Sequence, residues 1–428
     1  MDGVPARVIV EDDLERSRLT VFFRLILAIP HVIWLFLWTV AAVVAAIVNW
    51  ALTLALGRSP EAVYTFLASF IRYATHVNAY LSLAANPFPP FDGQSGYPID
   101  VEIAPREAQN RLKTLFRLVL AIPALILAEV FFGTGIEAAS DRGGRAYAGE
   151  ATHASIVGGI LAILSFLGWF ACLARGRMPR GFRNSLAYGI GYAAQVAAYV
   201  FVLTERYPNS NPHLLPVEPA PPHVVRLTVD DDLRRSRVTV FFRIFLFVPH
   251  YIWLLLWGIA VAVAVFLNWF ATLALGRCPA LFFRFMSAYV RYQVHAYAFA
   301  GLVANPFPGF VGRPASYPVD LQIDGPDRQH RLRTLFRIFL AFPAILVNGG
   351  LSVLFVVVTV LGWFAALATG RMPLGFRNIG AWSIRYTAQL NAFLYLLTDR
   401  YPYSGPEAER AQEEPPVGLE GEPAPLPA

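Results

Sequence analysis

The sequence predicts an all-α polytopic membrane protein with about eight transmembrane helices in four direct repeats, interfacial elbow helices and a small cytoplasmic β cluster. Composition is the first reason, because 56% of the 428 residues are hydrophobic and only 15% are charged, whereas a soluble domain carries about 25% charged residues. The apolar residues lie in long blocks, which is typical of bilayer-spanning segments. Repetition is the second reason, because one set of landmarks occurs four times.

The repeat is clearest between the two halves of the chain. An offset of 219 residues aligns 22–24 with 241–243, both Phe-Phe-Arg. Each half divides again into two units, each with a first apolar block, a G-R-x-P turn and a second apolar block. The predicted domains are a first repeat pair at 1–208 (units about 7–89 and 98–208), a Pro-rich linker at 209–223, a second repeat pair at 224–402 (units about 226–308 and 318–402) and a disordered acidic, Pro-rich tail at 403–428.

A short segment of alternating apolar residues precedes each unit. Alternation with a period of two predicts a short β-strand. Because all four segments recur at one position of the repeat, we expect them to pair into a small sheet. The alternating pairs are Val8/Val10, Val101/Ile103, Leu227/Val229 and Leu321/Ile323.

The first apolar block of unit 1 runs from Leu25 to Leu56 without a charged side chain. At about 1.5 Å per residue it would be about 48 Å long, which exceeds the ~30 Å apolar core of a bilayer. We therefore predict an amphipathic elbow helix over 19–30, a kink at Pro30, and a spanning helix over about 35–56.

The second apolar block of each unit is also predicted to cross the membrane. Residues 184–204 form a 21-residue block in unit 2 with no ionisable side chain except tyrosine. In unit 1 the block carries Arg72 and His76. There, apolar side chains favour insertion by roughly 2–4 kcal/mol and a central Arg opposes it by about 2.5–3.5 kcal/mol, so the helix needs a partner or a wet cavity. Two crossings per unit would place all four strands on the same side of the membrane.

Charge predicts the orientation. Of the 35 Lys and Arg residues, 23 fall on the side that holds the strands and both termini, and 9 fall on the side of the G-R-x-P turns. The positive-inside rule then places both termini of this multi-pass cell-membrane protein in the cytoplasm. The mixed-charge segment before Arg18 does not resemble a cleavable signal. Cys172 and Cys278 form no disulfide framework.

A polar stripe on the second helices is the first candidate ligand site. Arginine occupies one position in three units, where unit 2 has Gly191, and four residues later comes His or Gln on the same helical face. Intramembrane arginine suits a lipid phosphate or a carboxylate, and the alternative is interhelical hydrogen bonding. The stripe comprises Arg72, His76, Gln195, Arg291, His295, Arg385 and Gln389.

A second candidate set lies in the predicted elbows. Each elbow has an arginine beside a phenylalanine, and interfacial helices commonly contact anionic headgroups through such residues. The alternative is that these residues only set the topology. They are Arg24, Arg117, Arg243 and Arg337.

No catalytic signature accompanies these residues. The sequence has no Walker A, H-E-x-x-H, G-x-S-x-G or G-x-G-x-x-G motif and no Cys/His cluster with metal-ligand spacing. We therefore expect no enzyme activity, no cofactor and no metal. Basic residues that flank membrane segments indicate anionic lipid rather than nucleic acid.

The pattern F-R-x-x-L-A-x-P, then G-R-x-P, then a closing aromatic-Pro pair resembles a bacterial membrane family described as domain of unknown function 4389. In unit 1 the pattern is carried by residues 23–30, 57–60 and 88–89. The resemblance implies an integral membrane location and gives no activity. An arginine-rich chain with one lysine, Lys113, is also typical of a GC-rich bacterial genome.

The sequence thus predicts a non-catalytic bacterial membrane protein that binds or organises lipid or partner proteins. The alternative is a transporter or channel in which the polar stripes line a path at the repeat interface. Helices broken near mid-membrane would favour transport, and Asn348-Gly349-Gly350 is the candidate break inside a predicted span.

Overall fold

The computed structural model describes residues 3–133 and 159–407, which form twelve α-helices and four β-strands. Each unit contains one strand, a long first helix and a 21-residue second helix. The strands are β1 (Ala6–Val10), β2 (Ile99–Ile103), β3 (Val225–Val229) and β4 (Val319–Ile323). The second helices are α2 (Glu61–Leu81), α6 (Arg180–Val200), α9 (Ala280–Ala300) and α12 (Leu374–Leu394).

The first helices of units 1, 3 and 4 are continuous or nearly so. In unit 1 the first helix is α1 (Arg18–Leu56), and in the other units a five-residue helix precedes the long one. Unit 2 has α3 (Arg111–Leu115), α4 (Arg117–Phe132) and, beyond residues outside the described ranges, α5 (Ile160–Arg175); unit 3 has α7 (Arg237–Phe241) and α8 (Arg243–Leu275); unit 4 has α10 (Arg331–Leu335) and α11 (Arg337–Thr369).

The predicted division of the first block at Pro30 was wrong. α1 passes through Pro30 without ending, and α4, α8 and α11 likewise contain their equivalent prolines. In units 2, 3 and 4 the helix is interrupted seven residues before the proline, at Phe116, Phe242 and Phe336. A proline removes one helical hydrogen bond, yet α1 continues through Pro30, with Arg24 and His31 buried on either side of it.

The first helices are apolar on the outside. The side chains that α1 buries recur mostly every three or four residues and are small or polar, whereas Leu25 and Phe36 are 77% and 68% exposed. A surface helix in a water-soluble protein has the opposite polarity. α8 and α11 repeat the pattern, with Ile244 and Ile338 exposed. The buried residues of α1 are Val21, Arg24, Ala28, His31, Ala42, Asn49 and Thr53.

The second helices contribute much of the buried core. In the described part of the chain, three helices are long and apolar enough to cross a membrane, namely α1, α8 and α11. The prediction of eight transmembrane helices is therefore not supported. α6 is buried along most of its length, and α2 packs against α1, α6 and β2. Burial in protein and burial in lipid both select apolar side chains, so composition did not separate them.

The four strands occur where they were predicted, but they form two sheets. β1 pairs with β2 antiparallel and β3 pairs with β4 antiparallel, with Ala6 opposite Ile103 and Val225 opposite Ile323. Each half of the protein therefore has its own two-stranded sheet, which packs on the second helices of that half. The second helices therefore lie between the first helices on one side and the strands on the other.

The two units of a half run in opposite directions. The carbonyl of Gly57, in the turn of unit 1, accepts a hydrogen bond of 2.8 Å from the N–H of Gln109, at the start of unit 2. Gly176, in the turn of unit 2, accepts one of 2.9 Å from Arg16. Each G-R-x-P turn therefore lies beside the start of its partner unit, so the premise that turns and strand-side segments lie on opposite membrane sides was wrong. The second half repeats both contacts, between Gly276 and Gln329 and between Gly370 and Arg235.

The segments that follow units 2 and 4 exchange places between the halves. Ser210, in the predicted linker, lies against the start of α12 at Gly375, and Ser404 lies against the start of α6 at Gly181. Ser185 Oγ donates to the carbonyl of Ser404 over 2.9 Å. Residues 403–407 of the predicted tail thus belong to the fold, and the predicted disorder of 408–428 lies outside the described residues.

Glycine is required at this exchange. A Cβ on Gly375 would lie 2.3 Å from Ser210 Oγ and 2.8 Å from the backbone N of Asn211. We expect Gly375→Ala to lower the free energy of unfolding by about 1–3 kcal/mol, which is typical of overpacking. The matched control is Gly349→Ala in α11, where a Cβ would meet nothing within 4 Å and where alanine adds up to ~1 kcal/mol of helix propensity. Chemical denaturation in detergent measures the free energy of unfolding of both variants. Equal stability of the two variants would contradict the close packing of Ser210 and Asn211 against Gly375.

Candidate functional site

The polar stripe of units 1 and 3 forms two matching clusters with an aspartate from the neighbouring strand. In unit 1, His76 Nε2 and Asp100 Oδ1 are 2.8 Å apart, and Arg72 Nε lies 3.5 Å from the same oxygen. In unit 3, the distances from His295 and Arg291 to Asp320 are 2.8 Å and 3.7 Å. Both histidines are buried. Each cluster fastens a second helix to the strand beside it.

The arginines of these clusters also bind the backbone. Arg72 donates to the carbonyls of Val101 and Gly93, both over 3.3 Å. Arg291 donates to Leu321 over 2.9 Å and to Gly312 over 3.3 Å. The structure therefore gives Arg72 and Arg291 separate partners in separate halves and does not join the stripes into one path.

In units 2 and 4 the stripe holds the segments that follow the second helices. Gln195 accepts from the N–H of Asn209 over 2.9 Å. Gln389 accepts from the N–H of Tyr403 over 3.0 Å and donates to Val225 over 3.1 Å. Arg385 donates to Glu407 over 2.6 Å and to the carbonyl of Gly405. Arg385 also lines an open cleft.

Asp100 and Asp320 were not identified from the sequence. An aspartate between alternating apolar residues is expected on the solvent side of a strand, yet both are buried. Burial by itself would raise the pKa of the Asp100 carboxyl, but hydrogen bonds from His76 and from the N–H groups of Gly96 and Val101 outweigh it and lower the pKa. Recurrence of the aspartate at the start of units 2 and 4 was the available signal.

The lowered pKa values predict acid sensitivity. A carboxylate whose pKa is lowered by folding stabilises the native state above its unfolded pKa of about 3.9, and this stabilisation is lost as the pH falls through the lower folded pKa. The pKa of Asp320 is lowered by the same balance of burial against hydrogen bonds from His295 and two N–H groups. We expect the thermal midpoint of the wild type to fall more steeply below about pH 4 than that of Asp100→Asn/Asp320→Asn. If the thermal midpoints of the two proteins fell in parallel with pH, the two aspartates would not be the source of the acid sensitivity.

The four predicted elbow arginines lie inside the protein. Arg24 donates to the carbonyls of Tyr80 and Ala85 over 2.7 and 2.9 Å, and its guanidinium stacks 4.3 Å above the Tyr80 ring. Arg243 repeats this with Phe299 and Ala304. Arg117 and Arg337 donate to Thr204 and Thr398. We call each arginine with the carbonyls it binds an arginine clasp.

The clasps correct the prediction that these arginines contact lipid headgroups. All four are 1–2% exposed, and their guanidinium groups bind the backbone where the second helices end. At that point a residue other than glycine has a positive φ in every unit, which is energetically unfavourable. The residues are Leu83, Val202, Leu302 and Leu396, with φ of 64°, 60°, 59° and 63°.

A cleft lies between α12, the β3–β4 sheet and a short 3-10 helix (Pro212–Leu214). Its volume is about 410 Å³. Arg226, Arg377 and Arg385 line it together with Glu407 and Trp382. Among residues 3–133 and 159–407, no group of three His, Cys, Asp or Glu side chains is arranged to hold a metal ion.

A family comparison agrees with the repeat that the structure describes. The family model described as domain of unknown function (DUF4389) matches residues 18–92, 237–311 and 331–404, which is just over half of the chain. The chain belongs to the DUF4389 family. Each match begins at a first helix and extends past the end of a second helix. No curated protein and no solved structure matches the chain.

Unit 2 is not among the DUF4389 matches, yet it has the same elements. It begins with β2, has its own arginine clasp at Arg117, and ends its second helix with Val202 at positive φ. Residues 134–158 of unit 2 lie outside the described ranges. The fold thus has four units, three of which match the family model.

Proposed function

We propose that this DUF4389 protein is a non-catalytic integral membrane protein that organises lipid or partner proteins. In this proposal the first helices are embedded in lipid, and the second helices and strands form a protein layer that faces water. The supporting observation is the polarity of the first helices, whose large apolar side chains point away from the protein. Exposed apolar surfaces larger than a few hundred Å² are rare in soluble monomers.

Two features favour embedding over crossing. The strands pack alongside the second helices, so first helices that crossed the bilayer would place two-stranded sheets at mid-membrane depth. Unpaired sheet edges are not tolerated in lipid. At about 1.5 Å per residue, the 33 residues of α8 and the 39 residues of α1 correspond to about 50 and 58 Å, well above a ~30 Å core. Their charged ends can both remain at one interface.

Cysteine labelling separates the two arrangements. Arg58 and Arg177 lie in the turns of units 1 and 2, at opposite ends of the same half, and both are exposed. In a chain lacking its native cysteines, we expect Arg58→Cys and Arg177→Cys to react with a membrane-impermeant maleimide from the same side of sealed vesicles. Reaction from opposite sides would mean that the helices cross.

Two further variants complete this experiment. Val44 on α1 is 58% exposed and apolar, so Val44→Cys should resist the impermeant reagent and react with a lipid-soluble one. Reaction of Val44→Cys with the impermeant reagent in vesicles would overturn the proposal that α1 lies in lipid. Arg7→Cys on β1 reports the side of the strand layer. The cytoplasmic position of the termini stays a prediction that the same labelling measures.

A helix broken near mid-membrane would have favoured the transporter alternative, and the predicted break does not occur. α11 is continuous through Asn348-Gly349-Gly350, so this segment is not a broken helix. Flux of solutes into proteoliposomes is the measurement that tests transport directly.

A further inference from the structure

The helix face that lines the cleft beside α12 has an equivalent on α6 in the other half of the protein. An offset of 194 residues places α12 on α6, with Arg377 on Arg183, Ala381 on Ala187 and Arg385 on Gly191. The space of about 40 Å³ beside α6 is lined by Gly191 but not by Arg183 or Ala187, whereas Arg377, Ala381 and Arg385 all line the cleft of about 410 Å³.

The two helix faces differ at the position of Arg385, where unit 2 has glycine. At Gly191 an added Cβ would lie 3.0 Å from the Val8 side chain, so strand β1 fills the space there. At the same position of α12 stands Arg385, whose long side chain lines the cleft. Arg377, Ala381 and Arg385 are four residues apart and share one helical face. The small Ala381 between the two arginines leaves room for a bound group.

The cleft contains more positive than negative charge. Arg226 is paired with Asp324 over 2.8 Å, and Arg385 is paired with Glu407 over 2.6 Å. Arg377 has no ion pair, and its Nε is buried without a hydrogen-bond partner in the described part of the chain. The neighbouring carboxylate of Asp231 is bound to Arg235 over 2.6 Å.

We infer that this cleft binds a phosphate group through Arg377 and Arg385. Arginine forms paired, charge-assisted hydrogen bonds with phosphate oxygens, and burial lowers the pKa of the unpaired Arg377 guanidinium, so an anion there would stabilise its charged form. Asn378 Nδ2, 2.8 Å from Asn211 Oδ1, is a further polar group of the wall. The volume also admits the group that carries the phosphate.

Glu407 acts as an internal competitor in this inference. Its carboxylate binds Arg385, and its side chain is 44% exposed, so an incoming phosphate can displace it towards water. Because an intramolecular carboxylate has a high effective concentration, its removal should free Arg385 for the ligand. This inference rests on the proposed function, because it names phosphate as the group that a lipid- or partner-binding protein would recognise.

Calorimetric titration of the full chain in a non-ionic detergent with inorganic phosphate tests the site without a membrane. We expect Arg377→Gln to weaken binding at least about tenfold, as removal of a charge-assisted hydrogen bond does, and Glu407→Gln to strengthen it several-fold. Arg183→Gln is the matched control, because Arg183 has the equivalent position on α6 and does not line this cleft, and it should leave affinity unchanged. No binding to the wild type, or equal weakening by Arg377→Gln and Arg183→Gln, would overturn the inference.

A second arm separates the two sources of phosphate. The protein in phosphatidylcholine nanodiscs, with or without phosphatidic acid, is titrated with inorganic phosphate. If phosphatidic acid competes in the wild type and not in Arg377→Gln, a lipid headgroup reaches the cleft. If it does not compete, the ligand is a free phosphate or phosphate ester. Failure of the detergent titration leaves the cysteine-labelling result intact, so the two proposals fail separately.

Discussion

Replacement of Gly312 with alanine should give one of the two largest losses of stability in this protein, about 2–5 kcal/mol. The backbone at Gly312 has φ of 61°, and an added Cβ would lie 2.3 Å from the carbonyl oxygen of Ala288 and 2.8 Å from the backbone N of Tyr292. A left-handed conformation costs a residue with a Cβ roughly 1–2 kcal/mol, and overpacking costs about 1–3 kcal/mol. Both neighbouring atoms belong to the backbone of α9, so neither can rotate away.

The measurement is denaturation of the purified variants in detergent. Gly309→Ala is the matched control in the same loop, since its Cβ would meet nothing within 4 Å and its φ is not in the left-handed range. Gly93→Ala, the equivalent in unit 1, should behave as Gly312→Ala does, because its Cβ would lie 2.3 Å from the carbonyl oxygen of Ser69. If Gly312→Ala were as stable as Gly309→Ala, the loop would not lie against α9 as described.

A consequence for the polar stripe follows from the same loop. The carbonyl of Gly312 accepts a hydrogen bond from Arg291, so displacement of the loop should also loosen the cluster of Arg291, His295 and Asp320. The acid-dependent part of stability assigned to Asp320 should then decrease in Gly312→Ala.

Local features of the fold could be predicted from the sequence. The alternating segments at Val8/Val10 and Val101/Ile103 form β1 and β2, because strand periodicity is read within a few residues. The glycine of each G-R-x-P turn ends its helix in a left-handed conformation, with φ of 74° at Gly57, and glycine is the usual residue at that position.

The layer arrangement could not be predicted, because the same composition suits two environments. α2 and α6 are apolar enough to have been interpreted as spans, yet they are covered by protein on most sides. What distinguished the first helices was the identity of the few side chains they bury. The partners of the candidate site residues were equally hidden, since Asp100 follows His76 by 24 residues and reaches it only through the fold.

The arginine clasps lead to the second of the largest expected effects. We expect Arg243→Leu to lower the free energy of unfolding by about 3–5 kcal/mol, the usual loss when one partner of a buried charged interaction is removed. Arg243 donates to the carbonyls of Phe299 over 2.6 Å and Ala304 over 3.0 Å, and without the guanidinium the Phe299 carbonyl would keep the weaker bond of 3.2 Å from the N–H of Leu302. Between them Leu302 has φ of 59°, a conformation that persists only where the surrounding structure determines it.

Two further variants show whether the loss comes from the clasp. Arg237→Leu removes an exposed arginine of α7 and should change stability by less than about 0.5 kcal/mol, as surface substitutions usually do. Arg243→Lys keeps the charge but cannot direct a planar fork at two carbonyls, so its stability should lie between those of the wild type and Arg243→Leu. If lysine restored full stability, charge alone would suffice. If Arg243→Leu were as mild as Arg237→Leu, the ends of the second helices would be held by packing, and the positive φ at Leu302 would have to be maintained by the helix and loop themselves.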